Sequence, residues 1–422
     1  MLKRSPWPTI LQVVPELSAG GAERTAIEMA EAITVAGGRA LVLSQGGRLE
    51  ADLERVGGEL IRFPARTKNP SIILFNAMRM SRLIKKRSVS LVHARSRAPA
   101  WSAFLAAWQT HRTFVTTYHG IYNQNSRVKN FYNGVMARGD AVICNSQYTA
   151  QIVSERHPDA RDRLSVIHRG VDLEEFQPAA VSNDRVQALR FRWGIPHGAR
   201  IVLLPARLTR WKGHKVLIEA ISGNLPPELQ KDTVFVLAGD EQGRSAYRQE
   251  LDRMIRSERL EGKVVIAGHC DDMPAAFKAA VLTVIPSIEP EAFGRVSVEA
   301  QAMGCPVIAA NIGALPETIP SAPAIYQKAE SISAGSRNLS ERILASGPWL
   351  FEAGNANALR DCLRMALSLD DEAMEPFRLQ AIDHARSRFA KEILQLQTLK
   401  VYDRLLGTQL ASAFQHATGY EP

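Results

Sequence analysis

The densest run of chemically useful side chains is Glu291-Ala292-Phe293-Gly294-Arg295-Val296-Ser297-Val298-Glu299. One carboxylate lies in a loop after the apolar run 284–287 and the other about a turn into the next helix, so the pair can address opposite ends of an elongated ligand. Gly294 keeps the backbone at the helix start free of a side chain. Acid pairs at this spacing are common, and the pair gains meaning only from its surroundings. Arg207-Leu208-Thr209-Arg210-Trp211-Lys212-Gly213 follows another apolar run. Arg207 and Lys212 can converge there on a phosphate, a diphosphate being the natural guest, although the same cations also suit a solvated turn. The stretch from Val13 to Arg24 passes through Gly20 and Gly21 into a helix. That turn would bring backbone N–H groups to an anion, or would be a tight strand–helix turn without a ligand; it is not the GxGxxG dinucleotide pattern. His119-Gly120 closes the list, an imidazole just after a strand, where a structural histidine is the plainer alternative.

Strands must position all four groups. Short apolar runs at 9–14, 40–43, 91–93, 114–118, 141–144 and 164–167 alternate with helical patterns, and the alternation recurs at 200–205, 233–238, 263–267, 282–286 and 306–310. This predicts an α/β chain with two doubly wound, Rossmann-like parallel sheets joined by a Pro- and Gly-bearing linker at 172–198. In such sheets ligands bind beyond the carboxyl ends of the strands, and two sheets facing each other would enclose a cleft. Residues 311–352 read as a long loop with short helices, 356–369 and 392–406 as helices, and the last fifteen or so residues as frayed.

The chain has 422 residues, enough for two or three domains at about 150 each. With 45% apolar and 23% charged residues, wholesale disorder and a small disulfide scaffold are excluded. Cys144, Cys270, Cys305 and Cys362 lack metal-ligand spacing and fit buried thiols in a reducing compartment. No run reaches the roughly 18 apolar residues of a spanning helix, and Pro6, Pro8 and Pro15 interrupt any cleavable leader, so a cytoplasmic location is expected. The net charge of +9 is uneven: residues 60–139 contain 14 Lys and Arg and no Asp or Glu. An anionic partner is expected there, a membrane surface or nucleic acid. Nucleic acid is disfavoured, since no recognition helix, aromatic RNA motif or zinc spacing accompanies the charge. A helix at 71–87 would set Ile72, Ile73, Leu83 and Ile84 beside Arg79, Arg82, Lys85 and Lys86, suited to a membrane surface or to a solvated face. Trp101, Phe104, Leu105 and Trp108 recur at helical spacing and read as core.

Taken in order, Gly20-Gly21-Ala22-Glu23, Tyr118-His119-Gly120, Arg169-Gly170-Val171-Asp172, Arg207 with Lys212-Gly213, and Glu291 through Glu299 followed by Met303-Gly304-Cys305-Pro306-Val307 closely resemble the retaining glycosyltransferase family 4. The resemblance covers nearly the whole chain. It implies the B-type glycosyltransferase fold, with an acceptor-side domain at 1–178, a nucleotide-sugar domain at 179–385, and a final helix and tail at 386–422 that cross back to the first domain. By the same resemblance Arg207 and Lys212 hold the donor diphosphate, Glu299 binds the ribose, Glu291 contacts the donor sugar and His119 faces the reacting centre. Gly20 and Gly21 close over phosphate or acceptor, Gly268 and His269 flank the base, and Phe293 and Gly294 border the donor. The implied reaction moves a hexose-type sugar from a UDP- or GDP-sugar, with retention and without a metal or other cofactor. The acceptor would be an anionic lipid-linked or lipopolysaccharide-type saccharide at the cytoplasmic membrane face, approached through 60–139. A sugar-nucleotide epimerase of the same fold is the alternative, and it would not be expected to carry the paired glutamates. One departure from the family is an insertion of about twenty residues around 325–347, before Trp349-Leu350-Phe351.

Overall fold

The computed structural model describes the chain except residues 1–6, 19, 68, 123–125, 223–225, 227–231, 244, 321–348 and 422, and the insertion around 325–347 lies outside the described residues. The chain divides into two units, residues 1–170 with 391–422, and residues 171–390. The joints therefore fall at 170/171 and 390/391 rather than at 178/179 and 385/386. The reason is local: Val171 bridges Ala390 and donates its N–H to Phe389 O at 2.7 Å, and Val171 and Phe176 are buried in the core of the second unit.

In the first unit seven parallel strands are ordered β3-β2-β1-β4-β5-β6-β7. They are β1 (Thr9–Val13), β2 (Arg39–Ser44), β3 (Glu59–Arg62), β4 (Leu91–Ala94), β5 (Thr113–Tyr118), β6 (Ala141–Cys144) and β7 (Leu164–Val166). Between them run α1 (Gly21–Val35), α2 (Glu50–Arg55), α3 (Pro70–Lys86), α4 (Arg97–Thr110), α5 (Arg127–Asn133) and α6 (Gln147–Arg156). Strand periodicity sorts β1 into both layers: Ile10 and Val14 join the core that includes α1, while Leu11 and Val13 join the one that includes α3 and α4.

In the second unit six parallel strands are ordered β10-β9-β8-β11-β12-β13. They are β8 (Arg200–Pro205), β9 (Thr233–Ala238), β10 (Val264–Gly268), β11 (Leu282–Ile285), β12 (Val307–Ala310) and β13 (Leu350–Phe351). Its helices are α7 (Asn183–Arg192), α8 (His214–Ser222), α9 (Ser245–Ser257), α10 (Met273–Ala279), α11 (Arg295–Ala302), α12 (Ala356–Leu367) and α13 (Asp371–Phe389). The chain then returns to the first unit as α14 (Lys391–Leu406) and α15 (Leu410–Thr418), where Leu399, Tyr402, Leu410 and Phe414 share the core with Met29 and Ile33 of α1. The tail is thus helical rather than frayed. The Asp403 carboxylate accepts from Thr408 Oγ1 and from the N–H groups of Leu410 and Ala411 at 2.6–2.8 Å, which holds the turn into α15.

Two apolar faces also differ from expectation. On α4 the buried residues are Ala100, Ala103, Ala106 and Ala107, and Trp108 is 69% exposed. Small residues let α4 lie close against α3, while Trp101 and Phe104 are half-buried at the edge of that core and only Trp108 of the four expected core residues turns outward. On α3 Ile73 and Ile84 are buried with Ala77 and Met80, whereas Ile72 is exposed together with Leu74, Phe75 and Met78.

Each sheet has one place where strand order reverses, between β1 and β4 in the first unit and between β8 and β11 in the second. Beyond the carboxyl ends of the strands at such a reversal the loops diverge and leave room for a ligand.

Candidate active site

At the second unit's reversal, the loops after β8 and β11 carry the two strongest motifs. β8 and β11 pair directly, Leu282 opposite Val202 and Thr283 opposite Leu203, so their following loops are neighbours. Ile288 N–H donates to Trp211 O at 2.8 Å, and Gly213, at φ +73°, lies so close to Pro286 that a Cβ would collide with its carbonyl. Only glycine fits both the left-handed turn and that approach. The consequence is that Lys212 Nζ reaches Glu291 Oε1 at 2.7 Å, with the two side chains only 14% and 12% exposed. Ser287 Oγ donates to the same carboxylate at 2.6 Å, and Lys212 Nζ sits 4.2 Å from the centroid of the Trp211 ring. Glu291 itself is seated by its backbone, which bridges Gly313 and accepts from Ala314 N–H at 2.9 Å.

The other cations of this loop differ. Arg210 is bound to Glu250 at 2.6 Å, and the hydrogen bonds from Arg210 and Lys215 push that carboxyl down to about 2. Arg207 is exposed and makes a long 3.4 Å contact with Gln242, so its guanidinium remains available to an anion. Glu299 pairs with Arg295 one turn earlier at 2.8 Å. Gly294, at φ +96°, is the N-cap of α11, where a Cβ would press on Leu315 at 2.7 Å. The Phe293 ring is buried and meets Phe389 edge-on at 5.8 Å, so its contribution to the site is backbone position. Gly268 ends β10, two strands from β8, and His269 follows it, its Nε2 meeting Asp271 at 2.9 Å on the surface. The structure thus brings Lys212 and Glu291 into contact and keeps Arg207, Glu299 and His269 as separate groups. His214, absent from the sequence reading, is fully buried just after Gly213, and burial lowers its imidazole to about 4.

In the first unit, His119 follows β5 and lies beside Arg169, whose Nη2 donates to His119 Nδ1 at 2.9 Å. Burial first, then the charges of Arg169 and Arg95, hold this imidazole well below its ordinary pKa. It is therefore neutral, with its proton on Nε2, and that buried nitrogen has no hydrogen-bond partner among the described residues. A neutral imidazole presenting N–H is a hydrogen-bond donor rather than a base. Arg169 also approaches Gly21 so closely that a Cβ there would strike its guanidinium. A Cβ at Gly20 would strike the Glu23 carboxylate, so the N-terminus of α1 already carries an anion of the chain's own. Among the described residues no group of three or more His, Cys, Asp or Glu side chains gathers as a metal site.

The family model for Glycosyltransferase Family 4 matches residues 19–175, and that for Glycosyl transferases group 1 matches residues 186–335. A crystal structure of a glycosyltransferase from Rickettsia africae ESF-5 is 32% identical, spans 96% of this chain and 100% of that one, and superposes with a TM-score of 0.81. The chain belongs to glycosyltransferase family 4. The family 4 chain has the B-type glycosyltransferase fold, which it also shares with Anabaena Alr3699/HepE in complex with UDP-glucose, at 22% identity, TM-score 0.71, and 94% and 99% coverage. Among curated relatives, D-inositol 3-phosphate glycosyltransferase 1 of Catenulispora acidiphila is 34% identical over 188 residues, and the match spans 43% of this chain and 44% of that protein.

Proposed function

We propose that the protein transfers a hexose-type sugar from a UDP- or GDP-sugar, with retention of anomeric configuration, to a lipid-linked or lipopolysaccharide-type saccharide at a membrane surface. The observation that carries the donor half is the Lys212–Glu291 contact at the strand-order reversal, with the exposed Arg207 guanidinium on the same loop. Lys212 and Arg207 neutralise the diphosphate as the glycosidic bond breaks and charge gathers on the leaving phosphate. Glu291, held by Lys212 and Ser287, orients the sugar hydroxyls, and Glu299 takes the ribose. His119, being neutral, donates Nε2–H to the sugar and takes no proton. The acceptor hydroxyl attacks the same face of the oxocarbenium-like sugar that the phosphate leaves, and its proton passes to that phosphate.

The membrane half rests on exposure and charge. Seven large apolar side chains that remain exposed, Ile72, Leu74, Phe75, Met78, Trp108, Val128 and Phe131, fall within the acid-free segment 60–139. On α3 the apolar four occupy the first turns, and exposed Arg79, Arg82, Lys85 and Lys86 follow. An apolar wedge beside cations suits an anionic bilayer surface. Among the described residues no helix is long and apolar enough to cross a membrane, so this contact would be peripheral.

The test is a nucleotide-release screen of the full chain against UDP-, GDP- and ADP-sugars, with and without a detergent extract of bacterial envelope lipids. Release from one donor, stimulated by the extract, is expected. Silence with every donor, and no thermal shift by any nucleotide, would overturn the reading.

A further inference from the structure

The face of the first sheet that α14 covers is not wholly apolar. Ile10 of β1, Leu91 of β4 and Val115 of β5 lie in the same core as Leu399 and Tyr402 of α14. Two residues on, the strand period brings Gln12, His93 and Thr117 to that face, and Arg95 and His119 follow just past the ends of β4 and β5. Gln12, His93, Arg95, Thr117 and Tyr402 are all buried. The Tyr402 hydroxyl lies 2.6 Å from His93 Nδ1, and His93 Nε2 lies 2.7 Å from Thr117 Oγ1. Arg95 Nε donates to Gln12 Oε1 at 2.6 Å, and the Gln12 amide donates in turn to Ala26 O of α1 at 2.8 Å.

Charge sets the direction of these bonds. Burial pushes the Tyr402 phenol up to about 12, so it keeps its proton, and the Arg95 guanidinium beside it can only donate. The phenolic proton therefore points at His93 Nδ1. Burial and the charge of Arg95 hold the His93 imidazole well below its ordinary pKa, so it is neutral, carries its proton on Nε2 and donates to Thr117 Oγ1. That last bond is an anchor for β5. The register of β4 with β5 ends at Ala94 opposite Thr116, while that of β5 with β6 runs on to Tyr118 opposite Cys144. On the β4 side the His93–Thr117 bond extends the tie by one residue, and His119 comes two residues later, near enough to Arg95 for that charge to act on its ring. We propose that Tyr402, brought back to the first unit by α14, is a positioning residue for His119 and acts through His93 and Thr117. The inference rests on His119 as the hydrogen-bond donor to the sugar, to which it adds what holds that donor in place.

The experiment compares Thr117→Val, Thr117→Ser, Tyr402→Phe and His119→Gln with the wild-type full chain. Initial rates of nucleotide release are measured with the UDP-, GDP- or ADP-sugar that the wild type cleaves, and 1H–15N spectra of histidine-labelled protein are followed across pH, with His119→Gln assigning the His119 signals by their loss. Thr117→Val keeps the shape of the side chain and removes the hydroxyl. It and Tyr402→Phe should each lower kcat about tenfold and leave KM for the donor within about twofold, and Thr117→Ser should restore most of the loss. In the wild type the His119 ring should stay neutral down to about pH 5. Once the end of β5 loosens, water reaches the ring, and its protonation midpoint should rise toward the ordinary 6.5, opposed still by Arg169 and Arg95, with His93 the other titratable group beside it. A lowered melting temperature in Tyr402→Phe, with kcat and the His119 titration as in the wild type, would make the hydroxyl a structural group and overturn the proposal. Defective His119→Gln beside unimpaired Thr117→Val and Tyr402→Phe removes the positioning alone. Unchanged turnover in His119→Gln removes the role of His119 and the proposal with it, and silence of the wild-type chain with every donor removes the transferase reading itself.

Discussion

In the second unit Lys212 and Glu291 are each nearly buried, and each is the other's countercharge. Removing one leaves the other desolvated and unpaired, so Lys212→Ala is expected to cost roughly 2 kcal/mol of stability besides its effect on the diphosphate. Glu291→Ala should lower turnover at least a hundredfold while changing nucleotide affinity little, since Lys212 stays to meet the phosphates. Lys212→Ala should damage both. The double variant should recover part of the lost stability but none of the activity, and a melting-temperature cycle together with initial rates separates the two effects. Wild-type turnover in Glu291→Ala would mean that the carboxylate is structural. Much of this site was legible in sequence, because Arg207, Lys212, Glu291 and Glu299 sit in compact motifs just after strands. The pairing of Arg295 with Glu299 was not read from the sequence, although their i, i+4 spacing in a helix is a signal that could have found it. Arg169 stood in a motif of its own, but its pairing with His119 was not legible, because the two lie 50 residues apart and only the fold brings them together.

At the scale of elements, the strand ends hold the loops, and glycines set how closely. Gly213 combines φ +73° with a Cβ position inside Pro286 O, whereas Gly354 has φ +79° and open space around it. Gly354→Ala should therefore cost only the left-handed strain, about 1 kcal/mol. Gly213→Ala must also push the Lys212 loop away from β11, and should cost at least twice as much and lower activity more than tenfold. Equal unfolding midpoints for the two variants in urea would contradict this account. The same scale shows where sequence reading ran out. Central strands such as β8 and β11 are uniformly apolar and were readable, but β3, with its half-buried Glu-Leu-Ile-Arg, looks like any loop. On α4, apolar residues surround the helix, so periodicity selects no face: Ala100, Ala103, Ala106 and Ala107 are buried, Trp101 and Phe104 are half-buried against the core, and Trp108 is exposed. On α3 the inner face contains Asn76 and Ser81, paired to Pro64 O and Gln109 Oε1, so polarity misdirected the reading.

For the whole molecule, the exposed cations of 60–139, such as Arg79, Arg82, Lys85 and Lys86, lie in the same stretch as seven exposed apolar side chains. If the proposed membrane contact is made, long-range attraction would bring the chain to an anionic bilayer, and Phe75 and Met78 would then convert that attraction into insertion. These two contributions separate by salt. Lys85→Glu with Lys86→Glu should reduce co-sedimentation with vesicles of phosphatidylglycerol and phosphatidylcholine at low ionic strength, and the difference from wild type should shrink as salt rises. Phe75→Ser with Met78→Ser should reduce it at every ionic strength, because burial of apolar area is not screened. Arg87 is a poor choice for such a test, since it is paired with Glu59 at 2.8 Å and its reversal would disturb β3. None of the four substituted side chains is buried, so the melting temperature should hold within a degree or two and any lost binding can be assigned to the surface. Vesicle binding unchanged in both variants would leave the basic half without a membrane role.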